Sequence, residues 1–235
     1  MSQQEVAIIV GVGPGLGAAL GRRFAAAGMA VAIVSRDSDR IKALATAIGP
    51  NTHPYTCDVT DEAAVERLFR DVESALGAPT VVIHNAAGYL IKSILESTKE
   101  GFEDCWRTVC LGGFFVGRAA ARSMTPRGSG TIVFTGATAS IRGSALYGNF
   151  ASAKFGLRAL AQSMARELQP KGVHVAHVIL DSAIDSEFLR GLLKDRGPER
   201  FLNTDDISEA YFRIHEQRKG AWTHELDLRP YGEQF

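Results

Sequence analysis

The 235-residue chain lacks a charge excess and has only three cysteines, and each shortage removes a class of function. Lys+Arg and Asp+Glu balance at 26 each, so no net positive field points to nucleic acid or to an anionic membrane surface. No apolar stretch approaches the ~18 residues of a membrane-spanning helix. Residues 1–5 are polar and run directly into an apolar segment, so no secretory leader is expected. Cys57, Cys105 and Cys110 form no C-x-x-C pair, and so sparse an odd count suits free thiols in a reducing compartment. A cytoplasmic protein that binds a small molecule is the class that remains.

What the chain has in quantity is apolar residues, 46% of the total, enough to bury a full core in one domain. A continuous apolar run at 6–10 and the segments 30–35, 53–59, 80–84, 131–135 and 173–180 read as strands, with a short seventh at 226–228. Between them lie helical patterns at 18–27, 39–48, 62–76, 102–124 and 148–169. In the third of these, Val65, Leu68, Phe69 and Val72 fall on one face. Strands alternating with helices predict an α/β fold: a single-domain, doubly wound Rossmann architecture over residues 1–235. Its parallel sheet has about seven strands, with right-handed crossovers placing helices on both faces.

The turn Gly11-Val-Gly13-Pro-Gly15-Leu16-Gly17 follows the first strand and opens a helix. Glycines there permit positive φ and close backbone approach, so a pyrophosphate can rest against amide groups at the positive end of the helix dipole. Pro14 removes one of those amides. After this turn come Asp58-Val59, Asn85-Ala86-Ala87-Gly88 and Tyr147-Gly-Asn-Phe150-Ala-Ser-Ala-Lys154. In this order and spacing the chain resembles the short-chain dehydrogenase/reductase family over about residues 5–180. The resemblance implies an oxidoreductase with a nicotinamide cofactor. Asp58 and Val59 would contact the adenine, Asn85 to Gly88 would lie under the cofactor, and Ile184 would approach the nicotinamide. At the end of the second strand stand Ser35 and Arg36, where an acidic residue would accept from both ribose hydroxyls of NAD. A guanidinium instead suits the 2′-phosphate of NADP. Asp37 pulls the other way, and NADP is favoured over NAD.

In that family a tyrosine hydroxyl exchanges the proton, and a lysine four residues on lowers its pKa and holds the nicotinamide ribose. A serine thirteen residues before the tyrosine polarises the carbonyl, and an asparagine in the preceding long helix completes a water relay. Carried onto this sequence, those positions are Phe150, Lys154, Ala137 and Cys110. Only the lysine is kept. Phe150 cannot exchange a proton at any pH, and loss of one positioned acid or base removes ~10²–10⁴ in rate. Tyr147 offers a substitute hydroxyl if it points into the same cleft; packing at a helix entrance is its other role. Two functions stay open: an oxidoreductase with a non-standard active site, and a cofactor-binding pseudoenzyme that senses or scaffolds.

The segment 185–205 sits where the family places a substrate lid, and its Phe188, Leu189, Leu192, Leu193 and Phe201 suggest an apolar carbonyl or alcohol as ligand. The resemblance also implies a homodimer or homotetramer paired through the helices at 102–124 and 148–169. No metal site is expected. His174 and His177 stand at an odd separation on a strand and face opposite ways, and Cys105 and Cys110 diverge around a helix. His84 reads as structural.

Overall fold

Strands buried on both faces must be apolar at nearly every position, and the central strands of this chain meet that demand. The computed structural model describes residues 4–233. In chain order its first half runs β1 (Val6–Val10), α1 (Leu16–Ala26), β2 (Ala30–Ser35), α2 (Ser38–Ile48), β3 (Thr52–Thr56), α3 (Glu62–Leu76) and β4 (Val81–His84). There follow α4 (Lys99–Trp106), a π-helical turn over Arg107–Leu111, α5 (Gly112–Met124), β5 (Thr131–Thr135), α6 (Gly148–Leu168) and β6 (His174–Leu180). The remainder is β7 (Ala183–Ile184), α7 (Glu187–Leu192), β8 (Phe201–Leu202), α8 (Thr204–His215) and β9 (Glu225–Leu228).

Seven strands pair in parallel in the order β3-β2-β1-β4-β5-β6-β9, giving the expected single-domain α/β fold. Alternate residues of each strand feed two separate cores. Ile8, Val10, Val82 and Phe134 pack with α3, α5 and α6, whereas Ala7, Ile9, Ile83 and Val133 pack with α1, α2 and α8. Each fully buried Ile or Leu contributes about 1.5–3 kcal/mol, so this two-sided burial holds the sheet together. Helix starts follow capping chemistry. Asp61 accepts from Ala63 N and Ala64 N at 2.9 and 3.2 Å, and Gly77 ends the same helix at φ +102°.

Three expectations change. The third strand ends at Thr56, which leaves Asp58 and Val59 in the loop beyond it. The helix expected at 102–124 is interrupted by the π turn, where His84 Nε2 lies 3.2 Å from Val109 O; a side chain drawing a carbonyl off the helical ladder is a known cause of such a break. α8 was not anticipated, although Asn203 caps it and Ile207, Tyr211 and Ile214 mark its buried face.

Burial, reinforced by the charge of Lys154, pushes the His84 pKa from 6.5 down to about 3, and burial also lowers that of His177. Between those values the unfolded chain takes up protons that the folded chain refuses, so stability is lost as pH falls below 6.5. Each such histidine costs about 1.4 kcal/mol per pH unit in that window. Urea midpoints should therefore fall from pH 6.5 to pH 5, and His84→Gln should flatten the slope; an unchanged slope would refute the assignment.

Candidate active site

The strand order reverses between β1 and β4, and beyond the carboxyl ends of the strands opens a cavity of about 880 Å³. Gly11 (φ +87°) turns the chain at the end of β1, and a β-carbon there would stand 2.3 Å from Ala86 N. Only glycine lets this turn lie on the backbone leaving β4. Asn85 ties the two together, donating from Nδ2 to Gly11 O at 2.9 Å. Gly13 and Gly15 have open space where a side chain would be. Gly15 caps α1 without a side-chain bond, so the first-turn N–H groups at Leu16 and Gly17 meet no side-chain acceptor on a wall of the cavity.

At the adjoining rim stand Ser35 and Arg36. Asp37 is engaged elsewhere: it caps α2 through Arg40 N at 3.0 Å and pairs with Arg40 Nε at 3.6 Å. Asp58 accepts from Thr60 N at 2.9 Å and Thr60 Oγ1 at 2.8 Å. The Thr60 amide first, and more weakly its hydroxyl and Arg36, hold the Asp58 carboxyl below the usual range despite partial burial.

The opposite wall comes from α6. Phe150 and Lys154 lie one turn apart on its buried face, with Lys154 Nζ 5.5 Å from the Phe150 ring centroid. Lys154 is 3% exposed and donates to Thr135 O at 2.6 Å. Burial lowers its pKa from 10.5 to about 8, with Cys105 opposing. Tyr147, just before the helix, lines the same cavity, and its hydroxyl accepts from Tyr89 Oη at 3.1 Å. Leu146 before it is left-handed at φ 71°, the one such non-glycine among the described residues, and Leu146 O accepts from Lys92 N at 2.9 Å. A conformation costing roughly 1–2 kcal/mol is thus held at the residue that aims Tyr147. Ala137 lines the cavity but brings no hydroxyl.

A family model described as short chain dehydrogenase matches residues 5–196. The chain belongs to that family. It is 34% identical over 185 residues to the 3-oxoacyl-[acyl-carrier-protein] reductase MabA of Mycobacterium avium, covering 79% of this chain and 69% of that one. A solved short-chain dehydrogenase from Rhodopseudomonas palustris is 36% identical, with a TM-score of 0.84 over 97% of this chain and 99% of its own. An alcohol dehydrogenase from Thermococcus sibiricus, solved with 5-hydroxy-NADP, is 27% identical with a TM-score of 0.87 over 98% of each chain.

Of the catalytic and cofactor-binding residues that the short-chain dehydrogenase resemblance nominated, all line the cavity except two, and of the apolar lid residues Phe201 faces elsewhere. Gly88 turns away, its carbonyl accepting from Cys105 Sγ at 2.7 Å, and a β-carbon there would stand 3.0 Å from Cys105 Cα. Cys110 lies in the π turn and packs against Gly156 of α6 instead of the cavity. Several lining residues had no sequence signal of their own: Tyr89, Arg196 and Glu233. Asp181 is buried where the family often has Pro-Gly; it accepts from Thr138 Oγ1 at 2.5 Å and forms an ion pair with Arg229 Nε at 2.8 Å. His174 and His177 take separate partners, Thr223 O at 2.8 Å and Glu225 at 3.5 Å.

The depressed Lys154 pKa makes a stability prediction. Between pH 8 and 10.5 the unfolded lysine holds a proton that the folded one has released, so wild-type stability rises across that window by about 1.4 kcal/mol per unit. Lys154→Met should be the more stable protein at pH 7, and its advantage should shrink as pH rises to 10.5. Denaturant titrations of both proteins at pH 7, 9 and 10.5 check this; a constant difference would contradict it.

Proposed function

We propose that this chain is an NADP(H)-dependent oxidoreductase for a small, apolar carbonyl or alcohol, with its proton chemistry moved from position 150 to Tyr147. The observation that carries this reading is the Tyr147 hydroxyl in the same cavity as Lys154, aimed by a left-handed Leu146 and bonded to Tyr89. The residues suit the dinucleotide. The open cradle at Gly13 and Gly15 and the uncapped start of α1 fit a pyrophosphate, and Arg36 fits a 2′-phosphate. Asp37, which would favour NAD, is already committed to its helix cap and Arg40. The Thermococcus relative with 5-hydroxy-NADP supports the same cofactor class. When bound, the nicotinamide supplies the hydride.

Lys154 would bind the ribose hydroxyls, and Asp58, Asn85, Ala86, Ala87 and Ile184 would line the bed beneath the cofactor. Phe150 and Ala137 exclude water without exchanging protons. Tyr147 would give or take the proton, with Tyr89 holding its hydroxyl in place. The segment 185–205 would act as the substrate lid, since Leu189, Leu192 and Leu193 bring apolar surface to the cavity. Three buried free cysteines suit a reducing cytoplasm.

A second reading, a cofactor-binding pseudoenzyme, is favoured by the absence of a hydroxyl at both Phe150 and Ala137. NADPH consumption against a panel of aldehydes and ketones separates the two. The wild type should turn over, and Tyr147→Phe should lose about 10²-fold in kcat with NADPH affinity kept. Wild-type NADPH binding without turnover would leave the pseudoenzyme; no binding would sink both. Phe150→Tyr as the sole active protein would place the lost chemistry at that residue.

Assembly as a homodimer or homotetramer is proposed from an apolar face on α4 to α6, where Phe102, Trp106, Phe114 and Phe155 are each 37–43% exposed. Light scattering should give a dimer or tetramer for the wild type and a smaller species for Phe155→Glu. A wild-type monomer would overturn the proposal.

A further inference from the structure

At the lid side of the cavity, opposite the glycine turn, three donors converge on one carboxylate. Ser182 Oγ lies 2.6 Å from Glu233 Oε2, Arg200 Nη2 lies 3.3 Å from Glu233 Oε1, and Arg196 pairs with the same carboxylate. Ser182, Arg196 and Glu233 all line the cavity. Two of the three donors, Ser182 and Arg196, are fixed without help from Glu233. Arg196 donates from Nε to Arg200 O at 3.0 Å and from Nη2 to Ser182 Oγ at 2.5 Å, and Ser182 Oγ lies 2.8 Å from Arg200 O. The Arg196 guanidinium also sits over the Phe201 ring, 5.7 Å from its centroid. Two guanidinium groups therefore face one negative charge in a preformed frame, and the carboxylate arrives from a separate stretch of chain after β9.

We propose that Ser182, Arg196 and Arg200 form a carboxylate-binding subsite of the cavity, which Glu233 occupies as an internal stand-in for a ligand carboxylate. Removing the Glu233 charge would leave two cations on a partly desolvated wall with Arg196 still tied to Ser182 Oγ and to the Arg200 carbonyl, the condition under which an external carboxylate binds. The ligand class is a carboxylate-bearing molecule whose remainder extends along the cavity toward the apolar lid residues. Glu233 then gates entry, because ligand and side chain compete for the same donors. This subsite depends on neither turnover nor dinucleotide binding.

Calorimetric titration with glutarate tests it, with glutaramide as the uncharged control and neither cofactor nor turnover involved. Glu233→Ala should bind glutarate at least about tenfold more tightly than wild type, as expected where a competing internal charge is removed. Glutaramide should bind neither protein, and adding Arg196→Met to Glu233→Ala should abolish the gain. If Glu233→Ala does not fold, Glu233→Gln, which keeps the side-chain shape, takes its place with the same expected order. Equal glutarate affinity in wild type and variant, or a gain that survives Arg196→Met, would overturn the proposal.

Discussion

The buried ammonium of Lys154 is the constraint around which the cavity is organised. Taking such a charge out of water costs several kcal/mol unless donors and acceptors replace its hydration. Here the replacements are one carbonyl, Thr135 O at 2.6 Å, and the face of Phe150 with its centroid at 5.5 Å. A cation–π contact of this kind is worth about 0.5–2 kcal/mol, less than the hydration given up, and the pKa falls accordingly. The same charge helps keep His84 neutral, and the ring still reaches Val109 O with Nε2 at 3.2 Å beside the π turn. A local charge thus reaches from α6 through β4 into the helix that follows it.

That arrangement also explains how an aromatic ring without oxygen can stand at position 150. Phe150 is 8% exposed, its ring met edge-on by Tyr89 at 5.2 Å, and it closes the apolar side of the lysine pocket. The polar end of the aromatic wall is carried further out by Tyr147 and Tyr89, whose hydroxyls meet at 3.1 Å. Burial first, then the Tyr147 hydroxyl, raises the Tyr89 pKa.

Most of the fold was legible because its signals are local. The strand at 6–10, the glycine turn and the Phe150–Lys154 spacing each lie within a few residues, and the structure keeps them together. α8 had comparable local signals in Asn203, Ile207 and Tyr211, and its role became plain only once Tyr211 Oη was seen donating to Thr135 Oγ1 at 3.0 Å. The wall at Asp181, Arg196 and Glu233 is different in kind. Its members come from three stretches of chain whose meeting is set by tertiary packing, and no periodicity in the sequence encodes that.

Cys110 marks the limit of spacing as a guide to orientation. Matching a position to a family motif places a residue on an element, but the direction it faces depends on every turn between the anchor points. A π turn inserts a residue into the helical count, and each residue advances the face by about 100°. Any position within or beyond Arg107–Leu111 is therefore displaced relative to an unbroken α-helix, and Cys110 meets Gly156 of α6. The small residue at 156 makes room for that sulfur, so the break in the helix and the composition of α6 are complementary. The interruption is sustained by packing on one side and by the neutral His84 on the other, which ties the orientation of Cys110 back to the buried lysine.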